Sequence, residues 1–93
     1  MLHIIKTHTG LLDSLPLIQA DDDILLIEDA VYALFRQDGL FESLKDRQDQ
    51  VYVLEEDACA RGLNLEAMKL FQNVDFIGFV LLTEQHLQSM TWD

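Results

Sequence analysis

Ile24, Leu25, Leu26 and Ile27 form an unbroken aliphatic run, with Asp21, Asp22 and Asp23 on one side and Glu28 and Asp29 on the other. Successive side chains of a strand point to opposite faces, so a strand without polar residues needs apolar cover on both sides. That is the condition of a strand inside a parallel sheet layered with helices. Val51, Tyr52, Val53 and Leu54 repeat the pattern, and Leu2 to Ile5 is a third short run rich in branched residues.

Helical signatures lie between these strands. Asp13 or Ser14 can cap a short helix with Pro16 in its first turn, where the missing N–H costs little, and Leu15 and Ile18 share a face. Asp29 can cap a second, with Val31, Leu34 and Phe35 at helical spacing and Gly39 as a left-handed stop. A third runs from near Asp57 to Gly62, and Asn64 to Lys69 reads as one further helical turn. Phe71 to Val74 is a fourth strand, after which Asp75 caps a longer helix through Phe76, Phe79, Val80 and Thr83 towards His86. Ile77, Leu81 and Leu82 make that helix apolar on more than one side, which fits either deep burial or a partner on its second face. Met90 and Trp92 alternate with Ser89 and Thr91, the pattern of a final half-exposed strand.

The alternation of strand and helix predicts an α/β fold of three layers. It has a mostly parallel sheet of about five strands, right-handed crossovers and helices on both faces. With 93 residues and no long linker or internal repeat, residues 1–93 make a single domain. Apolar residues amount to 49%, more than so small a body readily hides, which leaves surface for a partner. The net charge of -11 repels phosphate backbones and anionic membranes, so no direct nucleic-acid binding and no membrane association are expected. Cys59 is the sole cysteine, so no internal disulfide can form, and a reducing compartment fits. The opening Met1 to Lys6 lacks the order of a secretory signal, and no apolar run approaches the roughly 18 residues of a membrane span. A cytoplasmic location is the expectation.

Few side chains suggest chemistry. Cys59 lies near the start of its helix, which favours a reactive thiolate, but Glu55, Glu56 and Asp57 crowd it with negative charge and Arg61 points elsewhere. It reads as a small packing residue and only a weak candidate for catalysis. Thr7 to Gly10 is a small polar loop after the first strand, where related sheets hold phosphate. Leu11 and Leu12 follow in place of anion donors, so an ordinary strand-to-helix turn explains it. His3, His8 and His86 do not cluster, and Asp21 to Asp23 lacks the glycine and spacing of a calcium loop, reading instead as a solvated turn. Neither a metal nor a cofactor is expected. A phosphoacceptor domain would need an acidic pair after the first strand and a lysine after the fifth, and neither is present.

One family likeness emerges from particular residues. Ile24 to Asp29 with Ala30 and Val31, then Val51 to Leu54, then Glu56, Asp57, Ala60, Arg61, Gly62 and Leu63 resemble the TusB/DsrH family. Asp75, Phe79, Val80, Leu82, Thr83, His86, Met90 and Trp92 continue the likeness along nearly the whole chain. The resemblance implies a non-catalytic subunit of a sulfur-relay hetero-oligomer, with TusC-like and TusD-like partners, supporting persulfide transfer for 2-thiolation of tRNA wobble uridine. In that family the relaying cysteine belongs to the TusD-like sister, at the end of its third strand, a position held here by Leu54. Some DsrH members of sulfur-oxidising organisms carry a cysteine in the first helix, and Leu11 to Ala20 has none. Ala30 stands where glycine is common in the family. The partner interface is expected at Phe76, Phe79, Val80, Leu82, Met90 and Trp92. Three alternatives stay open: a subunit of a DsrEFH-type sulfur-oxidation complex, a persulfide carrier using Cys59, and a flavin or nucleotide binder using Thr7 to Gly10.

Overall fold

In the computed structural model, which describes residues 1–35, 39–63 and 69–93, the strands are β1 (Leu2–Ile5), β2 (Asp23–Leu26), β3 (Val51–Leu54), β4 (Gln72–Val74) and β5 (Ser89–Trp92). They form one all-parallel sheet in the order β4-β3-β2-β1-β5. The connecting α-helices are α1 (His8–Ser14), α2 (Gly39–Lys45), α3 (Glu55–Ala60) and α4 (Phe76–Gln85), with a 3₁₀ segment over Glu28–Phe35.

The strand order decides where the helices lie. From β1 to β4 the chain steps one way across the sheet, and right-handed crossovers put all those connections on one face. The return to β5, beside β1, reverses the step and sends α4 to the other face. Packing follows suit. Ile5, Ile24, Leu26, Val51 and Val53 bury against Leu11 of α1, Val31 and Leu34 of the 3₁₀ segment, Leu44 of α2 and Ala58 of α3. On the opposite face Leu2, Ile4 and Leu25 meet Leu82 of α4, with Phe79, Ile27, Tyr52 and Val74 only partly covered. Each fully buried aliphatic side chain contributes about 1.5–3 kcal/mol, so the helix-rich face carries most of the hydrophobic stabilisation.

Local structure follows from the cap residues. Thr7 Oγ1 accepts from Gly10 N at 2.9 Å and starts α1, earlier than the expected start at Asp13 or Ser14; the Pro16 stretch is a 3₁₀ turn over Leu15–Leu17. Asp75 Oδ1 accepts from Gly78 N at 2.8 Å and starts α4 as expected. Gly62, at φ 69°, ends α3: its N–H reaches Cys59 O at 3.0 Å and Leu63 N reaches Ala58 O at 3.1 Å. Gly39 departs from expectation. It has no left-handed backbone and opens α2, because Leu40, Phe41 and the fully buried Leu44 pack on the core from there. Asp29 does not cap the segment after β2; Glu28, at φ 48°, turns the chain there, and its N–H donates to Asp57 Oδ2 at 2.7 Å. The helical turn expected over 64–69 falls almost wholly outside the described residues.

Candidate functional site

Open parallel sheets bind ligands beyond the carboxyl ends of their strands, where the strand order reverses. Here that point lies between β1 and β5. Lys6 follows β1, Glu28 and Asp29 follow β2, Glu55, Glu56 and Asp57 follow β3, Asp75 follows β4 and Asp93 follows β5. This rim is acidic, and among the described residues its cations Lys6 and Arg61 are already engaged. Lys6 Nζ lies 3.4 Å from Asp93 and 3.5 Å from Glu28, and Asp93 first, then Glu28, raises its pKa. Arg61 Nε donates to Asp29 Oδ1 at 3.0 Å, and its Nη1 to Asp57 O at 3.2 Å. A cleft of about 390 Å³ opens beside the rim, lined by Thr7, His8, Thr9, Asp29, Ala30, Tyr32 and Ala33. Among the described residues its wall has no Lys or Arg, and the Gly10 N–H that could meet an anion is already given to Thr7 Oγ1.

Leu54 ends β3, the strand beside edge strand β4, and is a buried aliphatic side chain on the carboxyl edge. Cys59, on α3, is exposed, which corrects its reading as a packing residue. One position along a helix rotates the side chain by about 100°, so Ala58 takes the inward place.

The expected interface residues do not form one patch. Leu82 is buried beneath α4, while Phe76 and Val80 are exposed and Phe79 is half-buried, stacked on Phe76 with ring centroids 6.1 Å apart. Met90 and Trp92 lie across the sheet from α4, because their register partners are His3 and Ile5, whose side chains face the helix-rich layer. Met90 is exposed there, and Trp92 is half-buried against the core. Ile77 (68% exposed), Leu81 (51%) and Leu87, outside the expected set, enlarge the apolar surface on the α4 side. The i, i+4 spacing of Ile77 and Leu81 is visible in the sequence; which side of the helix faces the sheet is not.

A buried polar cluster had no sequence signal. Asp22 is buried, so the Asp21 to Asp23 run is not the solvated turn expected. Its carboxylate accepts from the N-terminal ammonium at 3.1 Å and from Gln19 N at 2.9 Å, and lies 2.9 Å from His3 Nε2. Burial pushes its pKa up, but the Gln19 N–H, His3 and the ammonium outweigh that and hold it at about 2. Trp92 Nε1 donates to His3 Nδ1 at 3.1 Å. An indole N–H can only donate, so His3 carries its proton on Nε2, towards Asp22. The chain Trp92, His3, Asp22 pins β5 to β1. His86 Nε2 lies 2.9 Å from Asp23 Oδ2 and ties the end of α4 to β2. Among the described residues no group of His, Cys, Asp or Glu is arranged to hold a metal ion, and no helix is long and apolar enough to cross a membrane.

Comparison with known proteins gives a consistent picture. Residues 7–89 match the family described as DsrH like protein. The chain is 35% identical over 95 residues to Protein TusB of Shigella flexneri, covering 99% of this chain and 100% of that protein. Protein TusB of Escherichia coli strain SE11 and of the O81 strain ED1a show the same identity and coverage.

Proposed function

The chain belongs to the DsrH-like family as a homologue of TusB, and from that membership we propose that it is a non-catalytic subunit of a sulfur-relay hetero-oligomer. Its partners are TusC-like and TusD-like chains, and the relay supports 2-thiolation of wobble uridine in tRNA, in the cytoplasm. The observation that carries the reading is Leu54: at the end of β3, where the family likeness puts a sister subunit's relaying cysteine, this chain has a buried side chain without sulfur. The surrounding carboxylates disfavour a persulfide anion on the same edge. The chain's contribution is then to hold and shape a neighbouring reactive cysteine, with its exposed α4 surface committed to assembly.

The test is to remove the gene from its host and measure 2-thiouridine in the tRNAs for lysine, glutamate and glutamine. Loss of the thiolated base, restored by the wild-type chain and equally by Cys59→Ser, supports a non-catalytic relay subunit. Unchanged thiolation contradicts a role in tRNA modification.

One observation favours a second reading. Cys59 is exposed, so a persulfide carried on its sulfur has access to solvent and partners. In that case Cys59→Ser fails to restore thiolation while the complex still assembles. The sulfur-oxidation alternative gains no such support, since α1 and the 3₁₀ turn after it contain no cysteine.

A further inference from the structure

The outer stripe of α4 is its most unusual surface. Ile77, Val80 and Leu81 share the face turned from the sheet, and Phe76 extends it at the N-terminal end. Glu84, three residues beyond Leu81, continues the same stripe as a carboxylate. At the other end, Asp75 and Glu56 are both exposed; Asp75 caps Gly78, and Glu56 Oε2 accepts from Phe76 N at 3.0 Å. The apolar strip is therefore bracketed by negative charge at both ends. From Leu70 to Asp93 the sequence contains no lysine or arginine, so neither α4 nor β5 supplies a balancing cation.

This charge pattern selects the occupant. A second copy of this chain laid on α4 would bring Glu84, Asp75 and Glu56 against carboxylates of the same kind, within the reach of about 8 Å over which charges interact at physiological salt. Like charges across an interface suppress such pairing. We infer that the α4 stripe docks a different protein chain, one that presents an apolar helix face edged by lysine or arginine to meet Glu84 at one end and Asp75 with Glu56 at the other. This rests on the relay reading, and it specifies the chemistry of the sister surface that seats on α4. The aliphatic stripe supplies the buried area, and the flanking ion pairs set orientation and choice of partner.

The experiment uses the purified chain and its TusC-like and TusD-like sisters from the same genome, with Kd measured by calorimetry at low and high salt. Ile77→Asp is expected to weaken binding to one sister by tenfold or more, since it puts a charge in the middle of the apolar contact. Glu84→Lys is expected to weaken it several-fold at low salt, with little difference left in 1 M salt, where the Debye length is about 3 Å. Asp13→Lys, an exposed position on α1, changes the net charge as much and serves as the control that leaves Kd unchanged. Circular dichroism confirms that each surface variant is folded. A complex that forms with wild-type affinity in Ile77→Asp, or that ignores Glu84→Lys, overturns the inference and leaves the relay reading intact. Self-association through α4, abolished by Ile77→Asp, overturns it too. No binding to either sister removes the relay reading and this inference together.

Discussion

The two faces of the sheet are built from the same strands and differ in what covers them. Towards Ile5, Ile24, Leu26, Val51 and Val53 lie α1, the 3₁₀ segment, α2 and α3, which seal that side. Among the described residues α4 alone lies towards Leu2, Ile4 and Leu25, and its outer side is apolar and open. Leu12, Leu17 and Met90 are exposed on the other side, on α1, the 3₁₀ turn after it and β5. The difference teaches that strand order, through the hand of the crossovers, leaves one side of the sheet sealed and the other with an open apolar helix surface, which the proposed function commits to association. Substitutions on the first should unfold the chain, and those on the second should disassemble it.

The largest effect is expected on the sealed face. Leu26→Ala, at a position with no solvent exposure, should lower unfolding free energy by about 2–5 kcal/mol in chemical denaturation, through lost burial and a residual cavity. A smaller loss there would mean that the face is less tightly packed than its contacts indicate. Gly10→Ala comes next. A Cβ at Gly10 would meet Trp92 O at 2.7 Å, so α1 must shift away from β5, at a cost of about 1–3 kcal/mol.

Much of this division was legible in the chain itself. The unbroken Ile24 to Ile27 run required cover on both sides, and β2 is buried in the middle of the sheet. Asp75 and Gly62 marked a helix start and a helix stop through local hydrogen bonds, which depend on neighbours a few residues away. What stayed hidden depends on contacts distant in sequence. Met90 and Trp92 were grouped with α4 because their side depends on which edge β5 joins, and its register with β1 turns them to the other layer. Asp22 is read as solvated until His3 and Gln19 are seen to surround it. Gly39 opens α2 instead of ending a helix because Leu44 finds a place in the core. Cys59 differs from buried Ala58 by one helical position, a margin that periodicity in so short a helix does not resolve.

Two tests of intermediate size probe the seam between the faces. Trp92→Phe removes the indole N–H from His3 and should cost about 1 kcal/mol, while loosening β5 in hydrogen exchange. Asp22, held at about 2 against an ordinary 3.8, stabilises the fold above about pH 4, and that contribution fades as the pH falls through 2. Asp22→Asn should therefore be less stable near neutral pH and show a flatter acid limb in thermal melts. A variant that melts with the wild-type pH profile would contradict this. The smallest stability effect belongs to Leu81→Ala, about 51% exposed, which should change unfolding by no more than about 0.5 kcal/mol yet weaken assembly with a sister chain.

The central claim is that this chain contributes surface and not sulfur. The direct test is intact-mass spectrometry of each subunit, taken from the assembled complex while sulfur is being delivered. The account predicts an added sulfur atom on the TusD-like chain and an unchanged mass for this one; an added sulfur on this chain, mapped to Cys59, would contradict it.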